Sequence, residues 1–351
     1  MSSSFSDNDR PLVSVVVVNF EGLRRGRLIN CLESLFKTEY PHLQIIVVDN
    51  ASSDGSAGFI KKNYPSVRLI ENKVNLGYSA GSNEGIRQST GEYLVLLNND
   101  TRVAPGWLDH IVSTLQEDEK VGVAGCKILC YDDPKRIDSA GCYIDVAGWP
   151  LERGRYFGKS INDAGQYDDV TKVFYVLGAA IALRKRVLNQ IGNLDPKFFM
   201  YFEEVDLCWR AILRGYKVIY VPDTVIYHKR APNLPSSILT PEILYHMHKN
   251  HLATLLKNYS FHGLLRALPW IIFDEILAII GCICGNDVEG FAAVLDGIFW
   301  NLKELKYLLK KRRVVQREVR RVSDKEVLKL MIERNLVLDR LRSVINEKTV
   351  S

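Results

Sequence analysis

The sequence predicts an α/β fold: a mostly parallel central sheet with flanking helices, followed by a helical region in the carboxyl-terminal third. Three observations lead there. Over residues 12–97, short runs of β-favouring residues alternate with helical patterns, the signature of parallel strands joined by right-handed crossovers. Those runs are apolar throughout rather than alternating, as strands covered on both faces are. Beyond His228 the pattern is helical to the end.

Residues 12–18 (LVSVVVV) form a first buried strand ending at Asn19, and a helix follows over about 23–36. The second strand, 43–48 (LQIIVV), ends at Asp49 and Asn50, with Asp54 as cap of the next helix. A short third strand covers 67–70, after which Asn75, Gly77, Gly81 and Asn83 lead into a helix through Gln88. The fourth, 93–97 (YLVLL), runs straight into Asn98, Asn99 and Asp100. Asn19, Asp49, Asn99 and Asp100 therefore line one sheet edge, the edge where ligands of open α/β sheets lie.

Polar groups at the end of a buried strand need partners, because burying them unpaired is costly. Asp100 is a hard oxygen ligand of the kind that holds a divalent cation bound mainly by phosphate oxygens. It equally suits an Asx turn capping the next helix, with Pro105 near its first turn. The tripeptide alone does not choose. The first strand-to-helix turn (residues 19–24) lacks the glycine fingerprint of a dinucleotide site, and no P-loop is present. A dehydrogenase is excluded on that ground. Gly77, Gly81 and Gly85, spaced by four, read as tight packing of a helix near the ligand.

Further strands are expected at 121–129 and, around a close-approach Gly178, at 173–183. Residues 138–157 are glycine-rich, aromatic and irregular, like a loop or hairpin excursion over a site. From Asp195 the chain reads DPKFFMYFEEVDLCWR, and its second half is helical, since Val205, Cys208, Trp209 and Ile212 share one face. Glu203, Glu204 and Asp206 crowd the start of that helix. The helix dipole accounts for one or two acids there; three beside an aromatic cluster exceed capping. Like charges packed closely raise one another's pKa, which makes a carboxylate a useful general base. Two short strands, 217–221 and 224–227, end at His228, which by position alone reads as an ordinary satisfied histidine. Helices are expected from 241–259 onward.

The 351 residues carry a net charge of +5, and residues 303–321 hold much of the excess. That run points to an acidic surface such as lipid headgroups, or to a solvated helix face, rather than to nucleic acid. Seven cysteines without paired metal-ligand spacing fit a reducing, cytoplasmic setting. Residues 1–10 are polar and read as disordered, without a signal sequence's apolar core. The one long apolar stretch, 264–284, is interrupted by Arg266, Pro269, Asp274 and Glu275, so a clean membrane span is not expected.

Taken together and in order, LVSVVVVNFEG, IIVVDNASSDGS, ENKVNLGYSAGSNEGI, GEYLVLLNND, VLGAAIALRK and LDPKFFMYFEEVDLCWRAILRGYKVIYVPDTVIYH closely resemble the family 2 inverting glycosyltransferases. Their nearest look is the rhamnosyltransferase-like branch that builds surface polysaccharides. The resemblance spans residues 11–228 and implies a GT-A fold. A glycosyltransferase domain would cover 11–232, with a nucleotide-binding half (11–130) and an acceptor-binding half (131–232). The disordered terminus (1–10) and a helical region (233–351) would flank it. The implied activity is metal-dependent, inverting transfer from a UDP- or dTDP-linked sugar to a hydroxyl of a glycan or lipid-linked glycan.

By the same resemblance, Asn19 and Glu21 meet base and ribose, Asp49 bonds the base with Asn50 and Ser52 beside it, and Gly77 and Asn83 flank the nucleotide. Asn98-Asn99-Asp100 corresponds to the DXD motif: Asp100 binds Mg2+ or Mn2+, and Asn99 touches ribose or phosphate. His228 matches the second metal ligand. Glu204 matches the catalytic base, with Glu203 and Asp206 as residues able to share its role. Two departures stand out: an amide replaces the first DXD acid, and glutamate stands where the family usually has aspartate as base. For the carboxyl-terminal helices, attachment to the cytoplasmic membrane face and an oligomerisation or capping bundle are equal expectations. The rival functions are a sugar-phosphate nucleotidyltransferase and a non-catalytic sugar-nucleotide-binding protein.

Overall fold

A computed structural model describes residues 10–24, 26–156, 159–230 and 239–332. Apart from Arg10, the disordered terminus expected at 1–10 lies outside the described residues, as does 333–351 of the helical region. The chain runs β1 (Val13–Asn19), α1 (Arg27–Phe36), β2 (Leu43–Asp49), α2 (Ser56–Asn63), β3 (Arg68–Glu71), α3 (Gly77–Gln88), β4 (Tyr93–Asn98), β5 (Thr101–Val103), α4 (Trp107–Glu117) and β6 (Val121–Cys130). Short strands follow: β7 (Ile137–Ser139), β8 (Cys142–Ile144), β9 (Pro150–Glu152), β10 (Arg155–Tyr156), β11 (Lys159–Ser160) and β12 (Thr171–Lys172). Then come β13 (Ala180–Arg184), α5 (Lys185–Ile191), α6 (Glu203–Arg214) and β14 (Lys217–His228). The last helices are α7 (Pro241–Asn258), α8 (Phe261–Cys284), α9 (Val288–Lys303), α10 (Leu305–Val314) and α11 (Asp324–Leu328), with a π-helical turn at Val315–Val319.

The strand order is β12-β14-β6-β13-β4-β1-β2-β3. Strands β4, β1, β2 and β3 are parallel, as their apolar runs require, and Asn19 is in register with Asp49. Antiparallel β13 joins them to a second parallel pair, β6 and β14. The sheet carries a core on each face. Val13, Val15 and Val17 share one with α1 and α4, while Val16 shares the other with α6 and α7, the alternation a strand imposes. Helix α3 lies close on the sheet because Gly81 and Gly85 have no side chain: a Cβ at Gly85 would overlap Val16, and one at Gly81 would crowd Val18 and Asn50.

Three sequence expectations change. Residues 173–183 are not one strand; only Ala180–Arg184 pairs with β4 and β6. Val176 instead lies over Gly125, where a Cβ would overlap it, so this stretch is apolar because it lies in the core between layers. The two strands expected at 217–227 are one, Lys217–His228, with a register irregularity between Val221 and Val225, where Pro222 has no N–H to donate. Strand β5 was not expected. It pairs with the end of β14, Thr101 opposite His228, and the Lys229 amide donates to the Asp100 carbonyl at 2.9 Å.

Candidate active site

The carboxyl ends of β1, β2 and β4 hold one polar lattice. Asn19 Nδ2 donates to Asp49 Oδ1 (2.8 Å) and to Ser52 Oγ (3.2 Å), while its Oδ1 accepts from Asn99 Nδ2 (2.8 Å). Ser52 donates to Asp49 through both hydroxyl (2.7 Å) and amide (3.0 Å). The adjoining loops are pulled in by carboxylates. Glu21 accepts from Ser53 at 2.7 and 2.9 Å, and Asp54 from the amides of Leu23, Arg24 and Ser56. Glu21 and Ala51 hold the left-handed backbone of these loops, at φ 52° and 62°. Gly22 has to be glycine, since a Cβ would strike Asn19 Oδ1 and Asn99 Nδ2. Asn50 is spent on the Gly77 carbonyl and Asn72. Asn83 exchanges two hydrogen bonds with the Leu194 backbone. Both are buried; Asn50 ties the lattice to the start of α3, while Asn83 ties α3 to the chain beyond α5.

Where β4 passes into β5, Asp100 meets His228. Asp100 Oδ1 lies 3.4 Å from His228 Nε2, and its Oδ2 lies 3.5 Å from Arg27 at the start of α1. On the other side of the ring, His228 Nδ1 is 2.7 Å from Asp138 Oδ2. Burial opposes a charge on His228, but Asp100 and Asp138 more than offset it and hold its pKa up at about 9. Burial likewise raises Asp138, yet His228, Arg230 and Arg155 bring its carboxyl below the usual range. Asp138 Oδ1 is gripped by Arg155 (2.8 Å) and Arg230 (3.1 Å), and Arg230 makes a two-pronged contact with Glu152 at 3.0 and 3.1 Å. An imidazole oriented through one nitrogen by a carboxylate is the usual support of a metal-ligating histidine. Asp100 Oδ1 is buried with no hydrogen-bond partner among the described residues. Together they fit a divalent cation. No group of three or more His, Cys, Asp or Glu able to hold an ion occurs among the described residues, so the remaining ligands would have to be phosphate oxygens or water.

The acidic helix start is the second cluster. Phe199, Tyr201 and Phe202 hold φ of 67–68° just before α6, a conformation uncommon for non-glycine residues and typical of functional loops. The loop is over-determined from α7: Asn250 Nδ2 donates to the carbonyls of Phe198, Met200 and Tyr201 at 2.8–2.9 Å, and Lys249 reaches those of Lys197 and Phe198. Phe199 stacks on His246 and closes against Gly77, where a Cβ would overlap its ring. The turn leaves one carboxylate oxygen of Glu203 and one of Glu204 buried without a hydrogen-bond partner among the described residues. Burial pushes Glu204 up to about 7, against its own helix-start amide, with Glu152 adding to the rise and Arg230 opposing it. Glu203 is raised well above the carboxylate range by burial and then by Glu204.

Asp206 is not brought to this crevice. Its oxygens are taken by Arg210 (3.0 Å), Lys257 (3.1 Å) and Asn258 (2.9 Å), and although burial raises its pKa, these partners bring it below its ordinary value. Sequence reasoning missed Tyr78, Asp138, Glu152, Arg230 and Asn250. Half-buried Tyr78 donates to the Gly178 carbonyl at 3.1 Å. Its phenol pKa is raised by burial, then by Glu203 and Glu204, and also by Asp100, and Gly178 in turn lies against Glu204, which a Cβ there would meet at 3.7 Å. Asp138 and Glu152 lie within the excursion flagged at 138–157, and Arg230 stands two residues past His228. Those positions were the available signals.

The model of the family described as glycosyl transferase family 2 matches residues 14–192. The chain is 29% identical over 247 residues to the O-antigen biosynthesis protein RfbC of Myxococcus xanthus, covering 67% of this chain and 18% of that protein. It is 27% identical over 214 residues to an N-acetylglucosaminyl-diphospho-decaprenol L-rhamnosyltransferase of Mycobacterium tuberculosis, covering 55% of this chain and 68% of the relative. The matched region is thus less than a fifth of the Myxococcus protein's length. Among solved structures, the mannosyltransferase PcManGT of Pyrobaculum calidifontis, in complex with GDP-Man and Mn2+, superposes with a TM-score of 0.53 at 18% identity, covering 89% of this chain and 87% of that one. At that identity the likeness concerns the fold, which is of the GT-A type.

Proposed function

This chain belongs to glycosyl transferase family 2, and from that premise we propose that it moves a sugar from a UDP- or dTDP-linked donor to a hydroxyl of a glycan or lipid-linked glycan, with inversion, in polysaccharide synthesis. The names of the Myxococcus and mycobacterial relatives support that substrate class. Residues 11–130 carry the nucleotide half and 131–232 the acceptor half, braced by the helices that follow.

The lattice of Asn19, Asp49, Ser52 and Asn99, with Glu21, Asn50, Gly77 and Asn83 shaping its rim, receives the nucleoside. Asp100 and His228 would hold Mg2+ or Mn2+, which when bound neutralises charge on the leaving diphosphate. Arg27 supplies a further cation beside Asp100. Glu204 takes the proton of the acceptor hydroxyl as its oxygen bonds the anomeric carbon from the face opposite the leaving group, while the bond to the diphosphate oxygen breaks. A carboxylate with a pKa of about 7 is matched to that task near neutral pH. Burial and then Glu204 also raise Glu203 well above the carboxylate range, which disfavours two negative charges on the pair.

The observation that carries this reading is that Glu204 and Asp100 each keep a buried carboxylate oxygen without a hydrogen-bond partner among the described residues. The test is incubation of the purified chain with UDP- and dTDP-sugars and metal, following slow hydrolysis to the free diphosphate, beside calorimetric nucleotide titration with and without EDTA. Metal-dependent hydrolysis is expected, and Asp100→Ala should abolish the effect of EDTA on nucleotide affinity. An Asp100→Ala titration that remains EDTA-sensitive would remove Asp100 from the metal site. Pyrophosphate release from a nucleoside triphosphate and a sugar phosphate would assign a nucleotidyltransferase. Nucleotide binding with no turnover of any donor would leave a binding protein.

A further inference from the structure

Helix α8 is built inside out. Its buried residues, Gly263, Ala267, Ile271, Asp274 and Glu275, recur at a spacing that forms one stripe down the helix, and they include both of its acids. Glu275 is fixed there by His248 at 2.7 Å, with His251 at 3.4 Å. The outward side carries Leu265, Leu268, Trp270, Ile272, Ile276 and Ile280, each 41–50% exposed. A surface helix ordinarily turns these faces the other way, and an exposed apolar face of several turns marks an interaction surface.

The second observation lies where α9 runs into α10. Lys306, Lys310 and Arg313 on α10 are exposed and spaced by four and three, which aligns them on one helical face, and exposed Lys303 and Arg317 extend the basic run at the end of α9 and in the π-helical turn. Exposed Leu302, Leu305 and Leu309 run beside them. Arg312 donates to the Tyr259 carbonyl at 2.7 Å, so the basic end of α10 stands at the root of α8.

We propose that the outer face of α8, with the basic stripe of α9 and α10, seats on an anionic lipid bilayer. Apolar side chains enter the acyl boundary while the cations meet headgroups. The helix lies on the bilayer rather than crossing it, because its inner stripe is packed on the protein and Glu275 is paired there. A symmetric contact with a second copy would bring the same cations against one another, which is unfavourable. The surface is independent of the proposed sugar transfer.

The test is flotation of the full chain with phosphatidylcholine vesicles, with and without phosphatidylglycerol, at low and high salt. Partitioning should be strong only with the anionic lipid and weaken with salt. Leu265→Gln/Ile272→Gln/Ile276→Gln should weaken it at least ~100-fold. Lys306→Glu/Lys310→Glu/Arg313→Glu should weaken it about 100-fold, near fivefold per cation. Donor hydrolysis should remain as in the parent, and thermal melts would show that both variants fold; should the glutamine variant melt early, the charge-reversed one decides. No flotation, or flotation indifferent to both sets of substitutions, overturns the proposal. A concentration-dependent dimer in sedimentation, dispersed by the glutamine variant, would give the face to a second copy and overturn it too.

Discussion

At the scale of single residues, Glu204 sets two opposed expectations. As a base it must be ionised, so the rate should rise with pH and level off above about 7, where burial has placed its pKa. Glu204→Gln should flatten that limb and lower turnover about 100- to 10,000-fold, with nucleotide affinity nearly unchanged by calorimetry. The same carboxylate is a cost to the fold. A folded-state pKa raised above the unfolded value makes stability fall as pH rises from the ordinary glutamate range through 7. The glutamine variant should therefore be more stable than the parent above pH 7, on the order of 2–3 kcal/mol by urea unfolding. Loss of activity with loss of stability would mean a structural role instead. Asp138 acts one step removed from the chemistry, as the group orienting His228. Asp138→Asn should weaken Mn2+ affinity about 10- to 100-fold while leaving nucleotide affinity in EDTA unchanged.

At the scale of elements, the strand ends were legible because apolar runs closing in Asn19, Asp49 and Asp100 carry both their burial and their polarity locally. Strand β5 was not, since three residues have no pattern and its reason to exist, pairing with β14, is more than a hundred residues away. Helix α7 was expected at 241–259 and runs Pro241–Asn258, but which of its residues are buried was not legible, for a different cause. His246, His248, Lys249, Asn250, His251 and Lys257 are all buried, yet each is a residue type that reads as solvent-facing. Here polar side chains make the contacts that apolar ones usually make: Lys249 and Asn250 to carbonyls of the loop before Glu204, His248 and His251 to Glu275, and Lys257 to Asp195 and Asp206. Asn250→Ala leaves the Met200 and Tyr201 carbonyls without that donor. It should cost about 2–3 kcal/mol by thermal or urea unfolding and, by loosening the left-handed loop, lower kcat up to about 100-fold. Nucleotide affinity should be spared, because the lattice on β1, β2 and β4 does not touch α7. A fall in affinity that matched the fall in rate would contradict that division.

At the scale of the whole molecule, the boundary the sequence suggested near residue 232 is crossed by a buried charge cluster. Lys257 on α7 pairs with Asp195 at 2.8 Å and with Asp206 at 3.1 Å, and Tyr307 on α10 donates to Asp195 at 2.7 Å. These acids precede and open the helix of the proposed base, so the late helices hold the acceptor side in place. Burial raises both carboxylates, but Lys257 with Tyr307 and Lys311 more than reverses it for Asp195, and Lys257 with Arg210 and Asn258 does so for Asp206. Depressed carboxylate pKa values contribute stability that is present above about 4 and lost as pH falls through the folded-state values. Lys257→Met removes the shared cation at nearly constant volume and leaves two carboxylates facing each other in the core. That should cost about 3–5 kcal/mol at neutral pH. The gap to the parent should close toward acid, because the unpaired acids then fold protonated. Chemical unfolding followed from pH 4 to 8 reads this directly. A pH-independent deficit would mean that Lys257 contributes packing alone, and that the helices after residue 232 are attached to the sheet domain without bracing its acceptor side.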